Sequence, residues 1–413
     1  MQRLLSVFVL IAFVAGLSLG AWLRVAETPL LVDVAHEFIA LGGMWLDALR
    51  MTIMPLIFAL LVTSVANTAS VAASGRLALH ALALFAILIL GAAVYGVIAT
   101  KTALALWPIN PQDAAAITSG APPADQAGAP GIGAYLRSLI PANPLRAATE
   151  DSILQVVVFA LFFGFAAAGL PEKQRAPLTS FFDAVGAAMI KIVHWVLLAA
   201  PIGVFALALD VGLSAGASAA RVLGQYILIV ASIAASVSVW MFVLAVIVTR
   251  IAPQRFASAC IPVWAIAASS QSSVASLPAM LEAATRDLKI SERTADFVLP
   301  LAVAVFRITS PVANLAVALF IAALYGLEPS FGQLAASVLV AFAVSVSTVG
   351  LPGQVSFIAS IAPICITLGL PIELLGVFVA VEVFPDIFRT LGNVTADMTA
   401  TAMLDRKNNP DQA

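Results

Sequence analysis

The sequence predicts an all-α polytopic membrane protein: eight transmembrane helices and two re-entrant hairpins, arranged as inverted repeats. Three observations predict it. First, 62% of the 413 residues are hydrophobic and 10% charged, with a mean hydropathy of +1.06, whereas soluble domains are about a quarter charged. Second, two apolar stretches late in the chain are each interrupted by a polar or glycine-rich tip, and a full span follows each. Third, the last span carries Glu382, Asp386, Arg389, Asn393 and Asp397 at successive spacings of 4, 3, 4 and 4. At 100° per residue these fall within roughly an 80° arc. Such a stripe must face protein or water, not lipid.

The first apolar run, residues 4–23, follows Met1-Gln-Arg3. It has the outline of a signal peptide, but no small-x-small cleavage site is apparent and many spans follow, so it is taken as the first helix. Further spans are expected near 38–68, 77–106, 148–170, 177–209 and 220–249. Several exceed the ~20 residues a bilayer needs, which implies tilt. Residues 107–147 are rich in Pro, Gly and Ala and are expected to form an extramembrane loop without chemistry.

After Arg250 the pattern changes. Ser269-Ser-Gln-Ser-Ser273, then Ser276-Leu-Pro278, interrupts one apolar stretch. Ser345–Thr348, then Gly350-Leu-Pro-Gly353, divides residues 332–370. Neither pair of arms is long enough to cross twice, so each reads as a hairpin of half-spans. Broken backbone at membrane depth is tolerated only where it lines protein or a water-filled site. Full spans at 294–325 and 371–404 follow. Hairpin then helix, repeated, is the sequence trace of inverted repeats and points to a transport site. With the N-terminus inside, the inner loops hold Arg3, Arg76, Lys173, Arg175, Arg250, Arg255, Arg286, Lys289, Arg293, Arg406 and Lys407. The outer loops hold Arg24, Arg137, Arg146 and Arg221, so the count is eleven against four. The positive-inside rule therefore predicts cytoplasmic termini, with the first hairpin entering from inside and the second from outside.

Other classes are disfavoured. A net charge of −2 argues against a nucleic-acid partner. Cys260 and Cys365 lie in apolar runs and suggest no disulfide framework. His36, His80 and His194 show no ligand spacing, so neither a metal site nor a cofactor is expected. No nucleophile–base set or phosphate loop marks an enzyme, and Gly131-Ile-Gly133 lacks the strand–helix setting of a dinucleotide motif.

The serine-rich tip before Leu277-Pro278, the Gly350-Leu-Pro-Gly353 tip and Asp386-x-x-Arg389-Thr390-x-x-Asn393-Val-Thr395-x-Asp397 are specific in combination. With Met54-Pro-Leu-Ile-Phe58 and Asn143-Pro144 before Ile153-Leu-Gln155, they resemble the dicarboxylate/amino acid:cation symporter family, of the glutamate transporter type. The resemblance spans most of the chain. It implies a homotrimer in a bacterial-type inner membrane, in contact with lipid, whose protomers work as elevators. The implied division is 1–76 as scaffold helices 1 and 2, 77–106 as transport-domain helix 3, and 107–147 as the loop. Residues 148–249 would be helices 4 to 6, the first two scaffold and the third transport domain, and 250–413 the transport core. Carried over by position, Arg389 would clamp the substrate's side-chain carboxylate, because a planar fork of donors matches a carboxylate bidentately. Asp386 would bind its ammonium. Asn393, Ser272 and Ser273 would hold the α-carboxylate with help from Thr390, and Gly350 to Gly353 would form the outer gate. An acid at position 386 favours glutamate or aspartate over a plain C4-dicarboxylate.

Two departures bear on coupling. Sodium-driven members carry Asn-Met-Asp-Gly-Thr in the unwound middle of the seventh helix. Aligned on Leu299-Pro300, this chain has Phe306-Arg307-Ile308-Thr309-Ser310. The third span, where those members use hydroxyls, has no Ser or Thr between Ala81 and Val94. Oxygen ligands for sodium have gone and a cation has arrived. Arg307 lies roughly 21 Å of helix rise from Arg293, too deep to snorkel, and needs an anion: Glu382, Asp386 or Asp397. Its guanidinium is expected to take the electrostatic role of bound sodium. The carrier would then be sodium-independent, and either a proton-coupled symporter or an exchanger; if protons are coupled, Glu382 is the first candidate to titrate, with Asp386 and Asp397 the alternatives. A sodium-coupled symporter, a C4-dicarboxylate carrier and an uncoupled anion facilitator of the same fold are the alternatives; Thr309 and Ser310 are what remains for a cation. Two further departures concern the substrate. Pro385 is expected to remove the hydrogen bond to Val381 and bend the last helix. Gln271, where some members carry Arg, adds no second clamp.

Overall fold

The structure is a computed structural model, and it describes residues 2–26, 29–72, 75–118, 140–150, 152–347 and 353–408. Among these there is no strand; the chain is helical almost throughout. The long apolar runs make α1 (Gln2–Ala26), α2 (Pro29–Ala72) and α3 (Arg76–Leu106). The expected loop holds two short helices, α4 (Pro111–Thr118) and α5 (Pro144–Thr149). Asn143 caps α5, its side chain accepting from the backbone N–H of Leu145 at 3.0 Å and of Arg146 at 3.2 Å, with Pro144 in the first turn.

Then come α6 (Ile153–Ala168), α7 (Glu172–Leu198), α8 (Ala200–Ala215) and α9 (Ala217–Thr249). The stretch expected as one span over 177–209 is therefore two helices. Pro201 lies in the first turn of α8, where its missing N–H breaks the ladder with α7. Gly216, at φ 53°, turns the chain between α8 and α9. Five helical stretches among the described residues are long and apolar enough to cross a membrane: Asp33–Asn67, Arg76–Leu106, Glu172–Leu198, Ser218–Thr249 and Glu292–Leu324.

Both interrupted segments fold as antiparallel arms. The first is α10 (Pro253–Ser270) and α11 (Ser273–Glu282), turning at Gln271 in the left-handed region, φ 53°. The second is α14 (Phe331–Ser347) and α15 (Gly353–Thr367). Its tip, including Gly350, lies outside the described residues, while Gly353 opens α15. The seventh span, which reads as one full span by its own residues, is broken as the family resemblance implied: α12 (Glu292–Val305) and α13 (Thr309–Leu324) flank the non-helical Phe306, Arg307 and Ile308. The last span is broken too, into α16 (Leu375–Phe378) and α17 (Val383–Asn408).

Packing falls into two groups. Helices α1, α2, α6, α7 and α8 pack on one another, most extensively α1 on α8. Around α17 lie α9, α10 and α12, while α13 packs on α3, α9 and the α14–α15 hairpin. The α1–α8 seam is backbone-close: a Cβ at Gly20 would overlap the Leu209 carbonyl, and one at Gly212 the Leu17 carbonyl. Small residues give such contact where lipid supplies no hydrophobic drive. The two groups meet through α14, which packs on both α2 and α3.

Candidate substrate and coupling site

The site is built where two broken elements, the first hairpin tip and the break of the seventh span, meet α17. Its centre is Arg389, whose side chain is 6% exposed. Nη1 donates to Glu382 Oε1 at 2.5 Å, and Nη2 donates to Asn314 Oδ1 at 2.7 Å. Glu382, itself 7% exposed, accepts a second bond on Oε2 from the Tyr226 hydroxyl at 2.9 Å. Tyr226 is held by its ring, stacked on Phe378 at 4.4 Å and edge-on to Phe320 at 5.5 Å. The guanidinium is thus aimed by α9, α13 and the turn before α17. Buried charge needs this degree of satisfaction.

The break in the last span explains the position of Glu382. It sits in the turn just before α17, and its carbonyl accepts from the Asp386 N–H at 2.9 Å. Pro385 therefore lies in the first turn, where its missing N–H forfeits no helical bond. The expected bend within the helix is replaced by a helix start, and α17 runs unbroken from Val383 past Asp397.

Asn393 is oriented from across the site. Its Oδ1 accepts from the Thr309 N–H at 3.1 Å. The Thr309 hydroxyl lies 2.8 Å from the same oxygen and 2.9 Å from the Arg389 carbonyl, with one proton to give to either. This approach requires Gly392, where a Cβ would strike the Thr309 methyl. With Oδ1 committed, Nδ2 is the polar group Asn393 has left to offer, and it is a donor. Thr390 donates to the Asp386 carbonyl at 2.9 Å. The first tip arrives at the start of α17, where Gln271 Nε2 donates to the Val383 carbonyl at 3.3 Å. Ser272 caps α11, its hydroxyl accepting from the Ala275 N–H at 3.3 Å, and Ser273 is the first residue of that helix.

The break in the seventh span brings the second cluster. Phe306 stacks on Phe85 of α3, centroids 4.5 Å apart and planes 13° apart. Two rings thus pack together where sodium-driven members would supply oxygens. Ser310 accepts from Asn314 Nδ2 at 3.3 Å, so the hydroxyls of both Thr309 and Ser310 are engaged within the protein. Arg307, half-buried, has its electrostatic neighbours in Asp386, Asp397 and Arg389. Glu382, taken by Arg389 and Tyr226, is not among them. Asp397 is 1% exposed, and neither of its oxygens has a hydrogen-bond partner among the described residues. The side chains gathered here are a poor set for a sodium ion: one carboxylate is offered, two side chains are apolar and a guanidinium is adjacent.

A sequence profile of the sodium:dicarboxylate symporter family matches residues 5–407. The chain belongs to this family. Among relatives of this symporter, the Proton/glutamate-aspartate symporter of Escherichia coli (strain K12) is 26% identical over 416 residues, covering 96% of this chain and 91% of the relative. An uncharacterized symporter of Haemophilus influenzae is 27% identical over 418 residues, covering 96% and 92%. The L-cystine uptake protein TcyP of Bacillus thuringiensis (strain Al Hakam) is 29% identical over 273 residues, 64% of this chain and 58% of the relative. The family consists of membrane transporters, not enzymes, and this symporter is an integral membrane protein.

Sequence reasoning missed Asn314, Tyr226 and Phe85. Asn314 carried a signal, being the one amide in the apolar run of α13. Tyr226 carried a weaker one, as one of four tyrosines and placed within a span. Phe85 in an apolar helix carried none.

Proposed function

We propose that this symporter carries an acidic amino acid, glutamate or aspartate, without sodium and with protons, and that Arg307 holds the place of the bound sodium ion. The observation that carries the proposal is the second cluster. Phe306 on Phe85 and the cationic Arg307 occupy the break in the seventh span, with Asp397 an electrostatic neighbour of Arg307 whose carboxylate no donor among the described residues satisfies. A fixed cation beside that carboxylate supplies what a bound ion would supply.

The substrate assignment rests on the first cluster. Arg389 presents a rigid, buried fork for a side-chain carboxylate. Asp386, three residues before it, suits an ammonium. Asn393 Nδ2 suits the α-carboxylate, with Thr390 three residues before it on α17; Ser272 and Ser273, on the tip that reaches the start of α17 through Gln271, would complete that hold and Gly350 to Gly353 would form the outer gate, as the family resemblance implies. The Escherichia coli relative, named for protons, glutamate and aspartate, supports substrate and coupling together. The two packing groups suit a scaffold of α1, α2, α6, α7 and α8 and a moving transport domain of α3 and α9 onward; the family resemblance and the excess of basic residues in the inner loops add to the proposal a trimer in a bacterial inner membrane with cytoplasmic termini.

The test is uptake by proteoliposomes in sodium-free buffer. An alkaline interior is expected to drive accumulation of labelled aspartate or glutamate, with malate and succinate competing poorly. Uptake that requires sodium would overturn the coupling, and equilibration without accumulation would identify a facilitator. Preferred uptake of malate or succinate would overturn the substrate.

A further inference from the structure

Arg389 is already occupied. Its Nη1 holds Glu382 and its Nη2 holds Asn314. A substrate carboxylate seeking the same fork meets a carboxylate that belongs to the protein. Two anions on one buried guanidinium leave an uncompensated negative charge in a region from which water is largely excluded, an arrangement strongly penalised there. An incoming anion therefore competes with Glu382 unless Glu382 loses its charge.

We propose that Glu382 is the resident occupant of the Arg389 fork, that the substrate's side-chain carboxylate displaces it, and that the displaced Glu382 is neutralised by the proton that travels with the substrate. The balance is simple. A carboxylate of charge −1 replaces another at the guanidinium, one proton from solution bonds to a Glu382 oxygen, and the net charge of the pocket is unchanged. No covalent bond between heavy atoms is made or broken. Coupling follows from linkage: if substrate and proton each make room for the other, each raises the other's affinity by the same factor. The proposal rests on the reading of this chain as a proton-coupled carrier of an acidic substrate, and it names the group and the event that do the coupling.

The surroundings suit the exchange. Tyr226 of α9 reaches Glu382 through an O–H, which can donate to the ionised form and accept from the acid, so Glu382 keeps a partner in both states. Asn314 of α13 holds Nη2 of Arg389 and keeps the fork aimed after Glu382 departs. The other charged or titratable groups facing the pair are Asp386 on α17, Arg307 in the break of the seventh span, acting through Arg389, and Cys365 of α15, beside Tyr226. Asp397 faces Arg307 instead, which leaves Glu382 as the carboxylate in direct contact with the substrate-binding guanidinium.

The experiment uses the full chain, purified in sodium-free detergent, titrated with L-aspartate and L-glutamate in weak buffer containing a pH indicator. Close to one proton is expected to be taken up per substrate bound. Affinity is expected to rise as pH falls, approaching tenfold per pH unit while Glu382 is ionised. An infrared difference spectrum is expected to gain a protonated-carboxyl C=O band on binding. Glu382→Gln is expected to bind with no proton uptake, no new band and no dependence on pH between 5 and 8. Tyr226→Phe is expected to keep the proton uptake but move the pH at which affinity changes. Binding by the unmodified chain with no proton taken up would overturn the proposal, even if Glu382→Gln failed to fold. So would proton uptake persisting in Glu382→Gln. If sodium-free accumulation in proteoliposomes still follows the pH gradient in either case, proton coupling stands and another carboxylate carries it. If it does not, the wider reading falls as well.

Discussion

At the scale of single residues, the buried charges make sharp predictions because charge in a low-dielectric interior depends on its neighbours. Arg307→Met would leave Asp397 with neither a hydrogen bond nor a compensating charge. Removing one partner of a buried pair costs about 3–5 kcal/mol, so a clear fall in the unfolding temperature in detergent is expected. Arg307→Met with Asp397→Asn removes both charges and is expected to recover most of that loss. Equal stability of the single and double variants would show that Arg307 does not compensate Asp397. Arg389→Ala is expected to weaken aspartate binding at least a hundredfold, about 3 kcal/mol, by calorimetry in sodium-free buffer. Asp386→Asn is expected to weaken aspartate far more than succinate, because only the amino acid brings an ammonium to that carboxylate. The stripe on α17 was legible because five polar side chains at helical spacing in an apolar run leave few alternatives. Which acid pairs with Arg389 was not legible. Asp386 and Glu382 both lie within reach on the same face, and the choice is made by Tyr226, which sequence spacing cannot place.

At the scale of elements, the breaks matter more than the helices. The carboxyl end of α12 points its partial negative charge toward Arg307, a favourable place for a cation. The amino end of α13 offers the Thr309 N–H, which Asn393 takes. One interruption therefore serves a guanidinium on one side and an amide on the other. The two hairpins were readable from polar interruptions of apolar runs, whereas the break at Phe306–Ile308 was legible only through the family resemblance, since 294–325 reads as one full span. The division between α7 and α8, and the break between Phe378 and Val383, were not readable, since Pro201 sits inside a continuous apolar run, Pro385 lies between Glu382 and Asp386 of the helical stripe, and hydropathy does not distinguish a proline that starts a helix from one that kinks it. The α1–α8 seam yields a prediction of its own. Gly20→Leu would force two backbones apart and is expected to destabilise the protein by about 1–3 kcal/mol, seen as a lower unfolding temperature in detergent, while aspartate affinity at the distant α17 site holds.

At the scale of the whole molecule, the loop expected to carry no chemistry does a mechanical job. Asp113 of α4 is clasped by Arg221 at the start of α9, through Nε at 2.9 Å and Nη2 at 2.5 Å. That clasp, with help from Ser218, holds the Asp113 carboxyl down at about 2, below the usual carboxylate range. The sign follows: with the folded value depressed, the stabilisation is complete above the ordinary carboxylate range and lost only as pH falls through about 2. Hydrogen-exchange protection of α4, corrected for intrinsic rates, is therefore expected to be equal at pH 5 and pH 8, and to drop in Arg221→Ala. A pH response of transport in that window would then not originate at this tether.

A cation that is part of the polypeptide also changes what the membrane voltage can do. A bound sodium ion crosses once per cycle, whereas Arg307 crosses with the loaded carrier and returns with the empty one, so its charge movements cancel. On the proposed function, an acidic amino acid of net charge −1 accompanied by one proton leaves no net charge translocated. Each uncompensated charge would contribute about 2.3 kcal/mol per 100 mV, a driving force that this symporter would forgo. A potassium diffusion potential imposed with valinomycin is accordingly expected to leave the accumulation ratio of aspartate unchanged, while the ratio follows the pH gradient. A strong dependence on voltage would mean that more than one proton, or another cation, travels with the substrate.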